Sequence, residues 1–181
     1  LNEYLKKKEK QTDLTLQKEE EDIKELSEKI LKAGGKPDVR NKNQTGLIKD
    51  LSKQLDNLIQ TSILKDKNKN VISDQTINGV KIRLQKVEGL PPKDLRKLVD
   101  NGKKELIEGI IIVFANKDEK VGLAVGVTDN LIEKYDAVKF AKLGSEIIGG
   151  KGGGGRKDFA QAGGTDIGKI DEAMTKLKEL I

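Results

Sequence analysis

The apolar residues of this 181-residue chain change their period part-way along it, and that change limits the folds open to it. Before about residue 65 they recur by sevens, as Leu16, Ile23 and Ile30, with Leu26 three positions after Ile23. After residue 70 they alternate: Val80, Ile82 and Leu84 are separated by Lys81 and Arg83, and Val121, Leu123, Val125 and Val127 repeat the pattern. A spacing of seven lays one narrow stripe along a helix, whereas alternation gives a strand one buried face. A chain that carries both in succession is expected to build two different units.

The first unit, residues 1–65, reads as a coiled-coil-like helical hairpin. A long polar helix runs to about residue 33, where Gly34 and Gly35 end it and Pro37 cannot continue it. A polar loop passes through Asn41 and Asn43. The second helix, 46 to about 63, carries Ile48, Leu51, Leu55, Leu58 and Ser62 on one face, with Leu47 and Ile59 beside it. This stripe is too narrow to close a core alone. It is expected to pack on a partner chain, on the rest of a longer protein or on the second unit. Ile23, Leu51, Leu55 and Leu58 are the candidate contacts of a homodimer; the plainer alternative is a solvated spacer. The charged segment Lys65 to Asn70 reads as a linker and domain boundary.

The second unit, residues 71–181, reads as a small α/β or α+β domain with a mixed sheet. After the strand around Val80, Pro91 and Pro92 suit a helix start, with Leu95, Leu98, Val99 and Leu106 inward. The β-branched run Gly109 to Ala115 predicts a central strand buried on both faces. Asn116 to Lys120 is a turn, and Val121 to Val127 should return antiparallel. Asp136 can cap a helix with Val138, Ala141 and Ile148 inward. A glycine-rich segment follows, then a last helix with Ile170, Met174, Leu177 and Ile181 on one face. If the first two strands pair in parallel, their crossover should be right-handed.

Composition removes whole classes of chemistry. The chain has no Cys and no His, so thiolate nucleophiles, disulfides, the usual zinc sites and His-based catalytic triads are excluded. It is 36% charged and 3% aromatic with a net charge of +5, which permits an anionic partner without demanding one. The local distribution is more informative. Between Lys139 and Lys157 the cations Lys139, Lys142, Lys151, Arg156 and Lys157 face a single acid, Glu146. The longest apolar run, Ile110 to Ala115, is strand-sized, so no membrane span is expected and a soluble cytoplasmic chain is the default. The chain opens on Leu1 instead of Met, as expected of a piece cut from a longer protein.

From Gly149 to Asp166 eight of eighteen residues are glycine. Backbone without Cβ atoms lets a ligand approach closely, and successive N–H groups can cradle an anion. Gly152, Gly153 and Gly154 are the candidate cradle. Lys151, Arg156 and Lys157 are candidate phosphate or sugar contacts, and Gln161 and Asp158 candidate polar readers. Asp158 has an equally plain alternative, pairing with Arg156. Phe159 reads as a core anchor. A flexible linker would lack the interruption Arg-Lys-Asp-Phe-Ala-Gln-Ala. A Walker loop would put Ser or Thr after its Lys, where Gly152 stands, and a Rossmann fingerprint would follow the first strand.

Gly149 to Gly164 resembles the signature of the C-terminal domain of alanyl-tRNA synthetases, which usually runs Gly-Gly-Lys-Gly-Gly-Gly-Arg-Pro-Asp-Met-Ala-Gln-Ala-Gly-Gly. This chain carries one extra glycine before Arg156, Lys157 in place of Pro and Phe159 in place of Met. Asn78-Gly79-Val80 and the run from Gly109 to Val127 also look like this DHH-associated domain. The resemblance covers about residues 71–181, with the helices before Lys65 similar in kind. It implies a non-catalytic region that contacts the outer corner of tRNA (alanine tRNA in the parent ligase), helps aminoacylation and editing act on one molecule, and mediates dimerisation in many members; contacts at a corner that all tRNAs share point away from selection of one tRNA. ATP, Mg²⁺ and zinc are implied only for the rest of the parent ligase, with no cofactor in this chain. Two alternatives stand beside it: a dimerisation or structural module without RNA affinity, and the substrate-binding domain of a DHH-type phosphoesterase, whose own Asp/His metal clusters this chain lacks.

Overall fold

A computed structural model describes all 181 residues, and they divide into two compact units between Ser62 and Ile63. α1 (Asn2–Lys32) and α2 (Gln44–Lys65) are the expected helices, and all but the last three residues of α2 belong to the first unit. α1 is built largely of Lys, Glu and Leu, which lose little side-chain freedom in a helix. It stops where Gly34 turns left-handed at φ 83°. The return loop is clamped by Gln54, whose amide donates to the Lys36 carbonyl at 2.7 Å and accepts from the Asp38 N–H at 3.0 Å. Asn43 caps α2 by accepting from the Gly46 N–H at 3.1 Å.

The two helices close a small core between them, contrary to the expectation that their stripe must find a partner elsewhere. Ile30, Leu47 and Leu51 are buried, and Ile23, Leu26, Leu55 and Leu58 pack against them half-buried. Ile23, Leu51, Leu55 and Leu58, read from the sequence as dimer contacts, are therefore engaged inside the hairpin, and Leu51 is wholly enclosed. Leu47, placed beside the face by its spacing, belongs to its centre. Only the N-terminal half of α1 keeps an uncovered stripe, with Leu5 and Leu16 exposed.

The second unit is a six-stranded sheet in the order β1-β2-β3-β4-β6-β5. Its strands are β1 (Asn70–Ile77), β2 (Val80–Glu88), β3 (Ile110–Lys117), β4 (Lys120–Val127), β5 (Gly153–Gly155) and β6 (Phe159–Gly164). Its helices are α3 (Leu95–Leu106), α4 (Ala137–Ile147) and α5 (Ile170–Lys178). β2 and β3 are parallel across the α3 crossover, and every other neighbouring pair is antiparallel. This α+β architecture carries the expected elements and three strands that were not expected.

The first is β1. The supposed linker is a tight turn, in which the Asn70 N–H donates to the Asp66 carbonyl at 2.8 Å, and the chain goes straight into a strand. Asn78 and Gly79, at φ 50° and 80°, form the two-residue turn that folds β1 onto β2. The other two are β5 and β6, which occupy the glycine-rich segment.

The sheet is covered on both sides. Ile110, Ile112 and Phe114 of β3 face α4 and α5, while Ile111, Val113 and Ala115 face α3, so the whole run is buried as its composition requires. α3 lies so close to β4 that a Cβ at Gly126 would strike Val99 and Lys103. On the same side Arg83 of β2, 8% exposed, is satisfied by a forked contact with Asp74 at 2.8 and 3.0 Å and by Glu105 of α3. Asp136 caps α4 as expected, its carboxylate accepting from the Val138 N–H at 2.9 Å.

Candidate nucleic-acid interface

The glycine-rich segment is a two-stranded ribbon along one edge of the sheet. Gly153, Gly154 and Gly155 pair with Ala162, Gln161 and Ala160, and β6 in turn pairs with β4. Lys151 leads into the ribbon, Arg156 to Asp158 make its turn, and Gln161 stands on its inner strand. The segment thus brings Lys151, Gly152, Gly153, Gly154, Arg156, Lys157, Asp158 and Gln161 together on one ribbon. The Gly152 N–H is already taken by the Ser145 hydroxyl at 3.2 Å, and the Arg156 N–H by the Phe159 carbonyl at 2.7 Å. The chain prefers the strand because the ladder satisfies amides that a nest would leave waiting for a ligand.

Most of the glycines serve this ribbon. A Cβ at Gly150 would run into the Gly163 carbonyl and the Ser145 hydroxyl, and one at Gly153 into Ala162. Ser145, wholly buried on α4, is the fastener: its hydroxyl donates to the Gly163 carbonyl at 2.8 Å while accepting from Gly152. The turn is held from two further directions. The Ala137 N–H donates to the Lys157 carbonyl at 3.0 Å, and the Asp158 carbonyl accepts from the Val127 N–H at 2.9 Å and from the Lys103 ammonium at 2.8 Å.

The charges on this ribbon stay in solvent. Lys151, Arg156 and Lys157 are exposed, as is Gln161. Arg156 reaches Asp158 at 3.5 Å with its side chain 72% exposed, a weak surface pair that a phosphate can displace. Lys139 and Lys142 are exposed on α4. Phe159 anchors against the α3-side core, and the Arg96 guanidinium lies over its ring, 5.1 Å from the centroid. No group of three acidic side chains converges where a metal ion could be held, and no helix is long and apolar enough to cross a membrane.

Ser145, Lys103 and Arg96 were missed from the sequence. Ser145 had a signal, a polar residue on the inward stripe between Ala141 and Ile148. Lys103 and Arg96 had none, since their place beside the ribbon exists only once α3 crosses the sheet.

The profile of the DHHA1 domain matches residues 77–181, from the β1–β2 turn to the end of the chain. The chain belongs to the DHHA1 family. The chain is 47% identical over 108 residues to the alanine–tRNA ligase of Parvibaculum lavamentivorans, covering 59% of this chain and 12% of that protein. It is 44% identical over 104 residues to the alanine–tRNA ligase of Bradyrhizobium diazoefficiens, covering 57% and 12%. The chain thus spans only 12% of the length of these relatives. Among solved structures, the C-Ala domain from Aquifex aeolicus alanyl-tRNA synthetase matches with a TM-score of 0.56 at 27% identity, over 60% of this chain and 96% of that one. The α+β fold of the matched part of this chain is that of the C-Ala domain.

Proposed function

We propose that this DHHA1 chain is a C-terminal part of an alanine–tRNA ligase and binds the outer corner of tRNA, with the β5–β6 ribbon as the contact. The observation that carries this is the ribbon itself. It presents Lys151, Arg156, Lys157 and Gln161 to solvent on a backbone fixed by Ser145, Lys103 and Ala137. Cations held in place on a backbone mostly free of side chains suit a sugar–phosphate chain, which supplies most of the affinity in such complexes. The partner in this reading is alanine tRNA, in a cytoplasmic enzyme of protein synthesis, and the resemblance to alanine–tRNA ligases supports it. Ligation itself, with its ATP and Mg²⁺, and any zinc belong to the rest of the ligase. The fragment binds and positions and has no catalytic role.

The test is a titration of this chain with folded alanine tRNA and with an RNA duplex of equal length, at two salt concentrations. Tighter and salt-sensitive binding to tRNA is the expected result. Equal binding to both, or none to either, would leave a structural module.

A second role is favoured by the uncovered stripe on the N-terminal half of α1. Leu5 and Leu16 are 47% and 45% exposed on a helix that is otherwise highly charged. With Ile23, Leu51, Leu55 and Leu58 occupied within the hairpin, pairing of two chains would run through this stripe. Sedimentation at high micromolar concentration tests it, a monomer being the result against it.

A further inference from the structure

Five glycines in and beside the ribbon, Gly150, Gly152, Gly153, Gly155 and Gly164, are required by the fold, two of them for their positive φ of 106° and 151° and the others because a Cβ would overlap neighbouring atoms. Gly154 is required by nothing. It has no positive φ, and a Cβ built on it meets no atom within 4 Å. Gly163 on β6 is nearly as free, its Cβ position being 3.4 Å from the Val121 carbonyl. Glycine in a strand lowers its stability, so two unneeded glycines on neighbouring strands point to something that must come close to the backbone.

The register says from which side. Gly154 pairs with Gln161, Gln161 with Ala124, Phe159 with Gly126 and Gly163 with Gly122. Directly paired residues share a face, and Ala124 belongs to the core beneath α3. Gly154, Gln161, Gly163 and Phe159 therefore all lie on the α3 side of the sheet. The opposite face of the ribbon is closed, because Ala160 and Ala162 pack into the core under α4 and α5. On the α3 side the floor is bare backbone with a single exposed side chain, Gln161. One wall of this floor is Arg96, which projects from α3 and rests over Phe159.

We propose that RNA lies across this α3-side floor and that Arg96 is a contact residue of the site, receiving an unpaired nucleobase on its outer face. The inference rests on the RNA-binding role proposed above and assigns it a face and a residue outside the glycine segment. A guanidinium over an aromatic ring loses water on one side and is held in place, while its outer face and N–H edges stay open. Unpaired bases stack on such planes, and Gln161 offers both a donor and an acceptor to a base edge beside it. The glycines at 154 and 163 let the sugar–phosphate chain settle on the sheet, where any side chain would hold it off.

The experiment is a titration of folded tRNA with the wild-type chain and with R96A, R96K, G154V, R156A and K139A, each checked for an unchanged melting temperature. R96A and G154V are expected to weaken binding by about five-fold or more, since the first removes a stacking plane and the second holds the sugar–phosphate chain off the backbone. R96K should lose nearly as much, because an ammonium keeps the charge without the plane. K139A, on the α4 side, should bind as wild type. If R156A weakens binding while R96A and G154V stay within about two-fold of wild type, RNA crosses the ribbon elsewhere; the inference falls and the tRNA-binding role stands. If the wild-type chain binds no tRNA, both fall.

Discussion

Lys103 and Asp158 lie 55 residues apart in the chain, and the ammonium of the first donates to the backbone carbonyl of the second at 2.8 Å. The same carbonyl accepts from the Val127 N–H at 2.9 Å. A turn of exposed charged residues is thereby tied to a helix and to a central strand, which gives its cations a defined direction. Replacing Lys103 by Met keeps the apolar stem and removes the donor. Because Val127 still satisfies the carbonyl, the loss should be small, about 0.5–1.5 kcal/mol in urea denaturation. Amide exchange at Lys157 to Phe159 should speed up. Unchanged exchange would mean that α3 does not restrain the turn.

Ser145→Ala should do more harm than its size suggests. The change leaves the Gly152 N–H and the Gly163 carbonyl without their shared partner, the buried Ser145 hydroxyl, for a loss of about 1–2 kcal/mol. Tight tRNA binding should weaken in parallel, as the ribbon is released from α4. Wild-type stability in this variant would show that water replaces the hydroxyl.

Asp74 gives a pH signature. Its forked hydrogen bonds to the Arg83 guanidinium hold its carboxyl below the ordinary Asp range. A carboxyl whose folded value is depressed contributes stability that is fully present above the unfolded value, about 3.9, and is lost as pH falls through the folded one. The wild-type chain should therefore lose stability on acidification below about pH 4 more steeply than D74N. The difference will be modest, since Asp74 is 48% exposed and screened by solvent. Parallel pH profiles for the two proteins would remove the pair from the acid response.

Leu51 is wholly buried in the small core of the helical hairpin, so Leu51→Ala should destabilise that unit by about 2–4 kcal/mol. Far-UV circular dichroism should show early loss of helix. Leu16→Ala, at an exposed position, should leave the melting curve unchanged and alter only self-association. The reverse pattern would place the stripe's weight at Leu16.

Much of this architecture was legible where side chains report burial. The run Ile110 to Ala115 is apolar on both faces because both faces are covered, and the inward stripe of α3 shows in Leu95, Leu98 and Val99. β1 was not legible. Its middle residues Ser73, Asp74, Gln75 and Thr76 are exposed, so no alternation marks it, and the available sign was the Asn78-Gly79 turn. β5 has no side chains with which to show a period; only its register against β6 makes it a strand. In the candidate site the cations could be named from composition, while Arg96 and Lys103 become neighbours of the ribbon only through the parallel crossover. In the hairpin the spacing by sevens was visible, but not that the two stripes would meet each other.

The strand order β1-β2-β3-β4-β6-β5 also has a kinetic meaning. It is three hairpins of adjacent strands laid side by side, joined by one crossover through α3 and one connection through α4. Hairpins close quickly because their loops are short, whereas the joins must wait for a helix to cross the sheet. The glycine hairpin has the most backbone freedom to surrender and borders the sheet on one side only. It is therefore expected to dock last in folding and to open first in the native state, so the surface proposed to meet RNA is also the foldon most easily ordered by a bound partner.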